Sequence, residues 1–372
     1  MNVEAHMNEL APSDAAAFRA LAARLRAAPE REPSPSLEGR ILAAVDEERR
    51  RERRRFRAPS PWWGAAAAAA LVAAALCFYS GVGGRARPAE AGAGAGVSWL
   101  AANQEADGTW SPAKHGGAEG YRPALTALSA LALDRAAGAY APQVGRACAA
   151  LVALQGADGA FGGEGRVRLY NQAITTFALA TLCPGHPEVR PALARALGYV
   201  GCRQTAQGGW DYEAGSEGNA ALTSWLVRAL ACAEAQGFDQ ARTPLRKGLR
   251  WLRGATREDG SVAYHRGSSS RSDSLTALTA YALITAGQAY PELSELGRHV
   301  AASLSATEAA PAPADCYRDY AKVLAFESTG AGALAEQVRR RMLSQQGSVR
   351  ADQWGSVGGQ LYTAALTALS AR

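Results

Sequence analysis

From residue 97 to the C-terminus, apolar positions alternate between two kinds of helical pattern. The first is amphipathic: in RACAALVALQ and KGLRWLRGAT the apolar residues fall three and four apart and polar ones occupy the other side. That spacing predicts helices with one buried stripe. The second, in PALTALSALAL, NQAITTFALATL, AALTSWLVRALA and SLTALTAYALI, is apolar nearly all round. A helix of that composition must be covered on most of its sides.

The boundary between the two kinds repeats as well. VSWLAANQEADGTW, RACAALVALQGADGAF, RALGYVGCRQTAQGGW and KGLRWLRGATREDGSV align so that Gln104, Gln155, Gln204 and Thr256 share one position, at steps of 51, 49 and 52 residues. Four residues on come Gly108, Gly159, Gly208 and Gly260, and two further on Trp110, Phe161, Trp210 and Val262. A regular period of this size marks a repeat architecture. Each copy predicts an amphipathic helix ending near the Gln and a glycine supplying the left-handed turn. A mostly aromatic residue then folds back as a plug. The Gln side chain is expected to satisfy backbone groups left open at the helix end. Near the start of each following apolar helix stands a threonine, Thr126, Thr175, Thr223 and Thr276.

Two degraded pairs follow, at 295–305 with 315–328 and at 333–345 with 359–371, the latter keeping Trp354. Six pairs predict an all-α fold, an (α/α)6 toroid or barrel of six helical hairpins over residues 97–372, with amphipathic helices outside and apolar ones inside. A stack that closes on itself leaves no end repeat to cap.

Ahead of the repeats, residues 62–84 (WWGAAAAAALVAAALCFYSGVGG) contain no charge. Trp62 and Trp63 stand at one end, Tyr79 near the other, and an arginine cluster immediately before. At ~1.5 Å per residue a helix of this length crosses a bilayer's hydrocarbon core. The expectation is a single-pass transmembrane helix at 61–84, between a helical juxtamembrane segment at 1–60 and a Gly/Ala-rich linker at 85–96. The apolar run starts too far along the chain for a cleaved signal, which favours an uncleaved anchor. Arginines concentrated before the span place residues 1–60 in the cytoplasm and the repeats on the far side of an inner membrane, in a bacterium the periplasm. The lipid bilayer is thus an expected partner.

The net charge of +6 is equalled by residues 49–57 (RRRERRRFR) alone. The remainder is neutral and has no basic stripe, which excludes nucleic acid as a partner of the repeat region. Cys77 falls in the expected span; Cys148, Cys183, Cys202, Cys232 and Cys316 lie beyond it without Cys-x-x-Cys spacing. Their Ala/Leu-rich surroundings read as small buried hydrophobes.

The pattern Arg/Lys-Gly/Ala-x-x-aromatic-aliphatic-x3-Gln-x3-Gly-x-Trp resembles the QW repeat of squalene and hopene cyclases, and the helix alternation is similar to the toroid those cyclases share with protein prenyltransferase β subunits. The resemblance implies a central cavity facing isoprenoid-like ligands. It implies no intact chemistry. The cyclase Asp-x-Asp-Asp-Thr is represented by Ser272-Asp273-Ser274-Leu275-Thr276, where only the Thr matches, and Asp273 reads as a helix start. The prenyltransferase zinc motif is approached by Asp315-Cys316-Tyr317, but the last helix offers Gln360-Leu361-Tyr362-Thr363 without a histidine. No metal and no cofactor are expected, and His115, His186, His265 and His299 read as solvent-facing.

Polar residues at the inner-helix starts converge on one mouth of such a ring. Tyr121, Tyr170, Asn171, Asn219, Tyr317 and Tyr362 are the candidate ligand-binding residues, by the rule that sites combine apolar walls with a few polar groups. The preferred function is a membrane-anchored toroid binding an apolar small molecule or a protein partner. The alternative is a terpenoid- or lipid-modifying enzyme with Asp273, Asp315 or Asp319 as general acid. Residues 1–60, with SLEGRILAAVDEERRRERRRFR leading into the span, resemble the inner-side segment of membrane-anchored anti-sigma factors, which implies a sigma factor as their partner.

Overall fold

The computed structural model describes residues 91–163, 165–212, 216–269, 271–306, 308, 315–344 and 355–371. The expected juxtamembrane segment, the expected span at 61–84 and Trp354 lie outside the described residues. Among the described residues no helix is long and apolar enough to cross a membrane.

Twelve α-helices and no β-strand occur among the described residues. In chain order they are α1 (Ala91–Ala102), α2 (Arg122–Asp134), α3 (Ala141–Ala153), α4 (Gly165–Leu182), α5 (Arg190–Cys202) and α6 (Ala220–Ala235). There follow α7 (Arg242–Ala255), α8 (Asp273–Ala286), α9 (Pro291–Ser305), α10 (Cys316–Ser328), α11 (Gly332–Ser344) and α12 (Gly355–Ser370). The first helix begins at Ala91, ahead of the expected start at 97.

The even-numbered helices form the inner ring. Each packs on the next even one, and α12 packs back on α2, which closes the circle. The odd-numbered helices lie outside, each on the inner helix that precedes it, while α1 packs on α12. This departs from the expected outer-then-inner hairpin. The reason lies in the connections: Ala286 of α8 is followed almost at once by Pro291 of α9, whereas Ala255 of α7 and Asp273 of α8 are joined by a long loop. Short loops make antiparallel neighbours; long ones do not.

At the seam the first and last repeats meet through glycines. The Ala118 N–H donates to the Val357 carbonyl at 2.8 Å. A Cβ on Gly117 would stand 2.7 Å from the Gly358 carbonyl carbon, and Gly359 breaks α12 with φ 58°. Only residues without a Cβ permit that approach.

Each repeat junction is built from the motif residues. Gly108, Gly159, Gly208 and Gly260 have φ of 84°, 85°, 95° and 81°. A Cβ on the first three would meet the Arg146, Arg195 and Lys247 carbonyls of the next outer helix at 2.4, 2.4 and 2.8 Å. The motif glycine thus serves both the turn and the packing of the following repeat. Gln104, Gln155 and Gln204 donate to the carbonyls of their own glycines (3.0, 3.1 and 2.8 Å) and to Gln143, Ala192 and Pro244 at the starts of α3, α5 and α7 (2.8, 2.9 and 2.8 Å).

The Gln therefore staples one repeat to the next instead of closing its own helix end. That second task falls to the plug: Trp110 and Trp210 indoles donate to Leu100 and Val200 carbonyls at 2.8 Å each. At the fourth junction Thr256 bonds back to Leu252, and His299 on α9 bridges to the Glu258 carbonyl at 3.0 Å.

The inner threonines receive the plugs' backbone. Trp110, Trp210 and Val262 N–H groups donate to Thr126, Thr223 and Thr276 at 3.2, 3.1 and 3.1 Å. In the second repeat the acceptor is Gln172, at 3.0 Å from the Phe161 nitrogen, where the other three use their threonine. Gln172 lies one helical turn closer to the α4 start, and its longer side chain reaches the distance that Thr spans elsewhere.

Candidate functional site

Because all inner helices run the same way, the ring has one mouth at their N-terminal ends and another at their C-terminal ends. At the N-terminal mouth a cavity of about 60 Å³ is walled by Tyr121, Tyr170, Tyr317 and Tyr362 together with Leu125, Leu128, Ile174 and Leu366, with Trp225 also on its wall. Four of the six predicted ligand-binding residues thus share one wall.

The other two do structural work. Asn171 is fully buried, accepts from the Ala124 N–H at 3.2 Å and donates to the Gly120 carbonyl at 2.8 Å, joining α4 to α2. Asn219 caps α6, accepting from the Leu222 N–H at 3.0 Å and donating to Asp211 at 2.8 Å. Both follow from the preference of short amides for helix starts and turns.

Tyr317 has a second role. Its hydroxyl accepts from the Trp225 indole at 2.7 Å, and burial pushes its own ionisation well above the usual tyrosine range. It is a fixed neutral phenol and no base. The Tyr170 ring leans on Tyr212 with centroids 5.6 Å apart.

None of the three predicted acids lines the cavity walled by the four tyrosines. Asp315 caps α10 by accepting from the Arg318 N–H at 2.8 Å. Asp273 occupies the first turn of α8, whose cap is Ser272, and accepts from Lys322 at 2.8 Å. Asp319, fully buried, accepts from Arg318 at 2.9 Å and from Arg341 at 2.8 and 3.1 Å. Glu308 completes the group, bonded to Lys322 at 2.8 Å and Arg341 at 2.5 Å. The pattern is an ion network pinning α8, α10 and α11 together. A carboxylate whose oxygens are held by guanidinium and ammonium donors is not placed to protonate a ligand.

At the C-terminal mouth a wider cavity, about 490 Å³, is lined by Arg228, Phe177, Tyr281 and Tyr320 in its depth and by Asp134, Arg135, Glu327 and Ser328 among the helix ends. Arg228 sits mid-way along α6 and is 1% exposed. Its guanidinium carbon lies over the rings of Phe177, Trp225 and Tyr281 at 4.1, 4.5 and 4.5 Å. Trp225 in turn stacks on Tyr320 and meets Phe177 edge-on, with centroids 6.4 and 5.6 Å apart. This aromatic layer divides the two cavities. Sequence reasoning did not single out Arg228. The signal was present as one arginine in the otherwise apolar run AALTSWLVRALA.

Two histidines expected to face solvent are half-buried. His115 packs edge-on against Trp99 with centroids 4.8 Å apart, and burial lowers its pKa. His186 bonds Glu188 at 3.1 Å, within 4.8 Å of the Cys148 sulfur. Burial pushes the Cys148 thiol up to about 12, so the sulfur stays protonated beside that pair. Cys183 is buried as expected of a packing residue, whereas Cys202 is exposed at the end of α5.

The fold is similar to solved structures of an α-1,6-mannanase, GH76A of Salegentibacter sp. HEL1_6. Its complex with α-1,6-mannotriose superposes with a TM-score of 0.54 over 75% of this chain and 98% of that one, at 11% identity. The complex with α-1,6-mannotetrose gives 0.54 over the same shares at 10% identity. Both are inactive variants with two consecutive aspartates replaced. Likeness at this identity shows the α/α toroid and not the chemistry. No family profile matches the chain, and no curated protein matches it.

Proposed function

We propose that this chain is a membrane-anchored α/α toroid that binds, and does not transform, an apolar group at the N-terminal mouth of its ring. In this reading the residues 61–84 anchor the chain in the inner membrane, residues 1–60 face the cytoplasm and the toroid lies in the periplasm. The QW-like repeat supplies the kinship with squalene cyclases and prenyltransferases. The stub at 1–60 is the candidate contact for a sigma factor.

The observation that supports binding is the single wall shared by Tyr121, Tyr170, Tyr317 and Tyr362, with aliphatic residues between them and no carboxylate among the lining residues. A volume of about 60 Å³ suits the end of a branched lipid chain or one side chain of a protein partner, not a whole polycyclic product. The mannanase likeness brings no catalytic pair either, because this sequence nowhere contains two consecutive aspartates.

The test is to incubate the purified full-length protein with a total lipid extract and identify by mass spectrometry what stays bound, beside a Leu128→Trp variant that fills the cavity. Recovery of an isoprenoid or acyl lipid by the wild type alone is the expected result. Equal recovery by both proteins would remove the cavity as the site. A C-terminal reporter found active in the cytoplasm would overturn the topology.

A further inference from the structure

Among the described residues the buried cations are paired, with one exception. Lys322 lies between Asp273 and Glu308, Arg318 meets Asp319, and Arg339 meets Glu327 and Glu336. Arg228 is as deeply buried, yet its Nε and Nη1 find no hydrogen-bond acceptor among the described residues. Its surroundings are the rings of Phe177, Trp225, Tyr281 and Tyr320. A guanidinium is charged at every physiological pH and its in-plane donors are costly to leave unmade. Aromatic rings cover its faces and the Tyr320 hydroxyl meets part of its edge, which leaves Nε and Nη1 open.

That edge belongs to a residue lining the cavity of about 490 Å³, a volume within the usual range for small-molecule sites. We propose that the C-terminal mouth of the ring is a receptor for a small carboxylate-bearing organic acid, with Arg228 as the partner of the carboxylate. A planar carboxylate matches the guanidinium edge with two parallel bonds. The rings of Phe177, Tyr281 and Tyr320 and the side chains of Leu131, Leu324 and Leu369 offer the rest of the ligand an apolar wall.

Charge selects the class further. Glu327 is held by Arg339, Asp134 stands at the rim, and the inner helices point their negative ends towards this mouth. The two lining cations, Arg228 and Arg135, stand against Asp134 and against Glu327, which Arg339 neutralises, so the setting keeps one net positive charge, which suits a monoanion and rejects a phosphate dianion. This site is separate from the tyrosine cavity and does not depend on what that cavity holds.

Benzoate serves as the probe, with benzyl alcohol as its neutral counterpart and inorganic phosphate as the competing anion. Titrated by calorimetry into the full-length protein, benzoate is expected to bind saturably and to raise the melting temperature, while the other two do neither. Arg228→Met is expected to weaken benzoate by roughly tenfold or more. Without ligand the same variant is expected to melt no lower than wild type, since it removes an unpaired buried charge; a purely structural arginine would make it melt lower. Should the Met variant fail to fold, Arg228→Lys keeps the charge, loses the two-pronged edge and is expected to weaken benzoate by roughly tenfold as well. Unchanged benzoate affinity in the folded variant, equal binding of benzyl alcohol, binding of phosphate alone, or no benzoate binding to the wild type would each overturn the proposal.

Discussion

The Trp225 indole on α6 donates to the Tyr317 hydroxyl on α10 at 2.7 Å, across 92 residues of sequence. Neither helix is the other's neighbour in the inner ring, so this one bond spans its interior. With the stacking of Trp225 on Tyr320, it forms the layer that separates the narrow mouth from the wide one.

Loss of that layer is measurable. Trp225 is fully buried, and Trp225→Ala is expected to cost about 3–5 kcal/mol in guanidinium unfolding, from lost contacts and the space left behind. Trp225→Phe keeps most of the contact and loses the hydrogen bond, with an expected cost of about 1–3 kcal/mol. Equal costs for the two variants would show that packing plays no part in the layer.

The junction glycines permit a matched comparison. Gly138 and Gly159 both have positive φ, 83° and 85°, but a Cβ on Gly138 meets nothing within 4 Å while one on Gly159 meets the Arg195 carbonyl at 2.4 Å. Gly138→Ala is expected to cost about 1–2 kcal/mol, the left-handed backbone alone. Gly159→Ala should cost clearly more, because α5 must also move away. Thermal melts of the two variants side by side decide whether the glycine is there for the turn or for the contact.

The ion network around Asp319 is structural in this account. Asp319→Ala takes from Arg318 and Arg341 the one buried carboxylate they share, and about 3–5 kcal/mol of stability should be lost. Binding of an apolar ligand at the other face of α10 should persist wherever the variant remains folded. A variant with full stability would show the network to be dispensable.

Acid sensitivity follows from the turn aspartates. The carboxylate of Asp107 is held below its ordinary range first by the Thr109 backbone N–H and then by its hydroxyl, and that of Asp259 first by the Ser261 hydroxyl and then by its N–H. A carboxyl whose folded pKa lies below its unfolded value adds stability above the unfolded value, here 3.8, and loses it as the pH falls through the folded one. Stability should therefore drop below about pH 4, and Asp107→Asn with Asp259→Asn should flatten that fall in urea titrations across pH 2–5. An unchanged acid limb in the double variant would assign the fall to other groups.

Much of the ring is legible in the sequence. The degraded pairs expected at 295–305 with 315–328 and at 333–345 with 359–371 correspond to helices 291–305, 316–328, 332–344 and 355–370. Four predicted tyrosines line one cavity because they stand near the N-terminal ends of inner helices, which the helical pattern reveals. The two asparagines also sit at such starts, but a capping bond and a ligand bond look alike in a sequence. The sequence places the Gln of the motif at its own helix end, whereas its partner is the next repeat, 40 residues on.

What the sequence determined by itself is local and periodic: two classes of helix, a left-handed glycine between them, a plug after it, and enough copies to close a ring. These follow from backbone sterics and from the spacing of apolar residues, which act within one or two turns of chain. Which charges meet, which mouth is wide, and that Arg228 ends in an aromatic layer without an acid beside it were decided by the closed ring. Those relations join helices dozens of residues apart, and only the angle and depth at which six inner helices pack sets the distances between them.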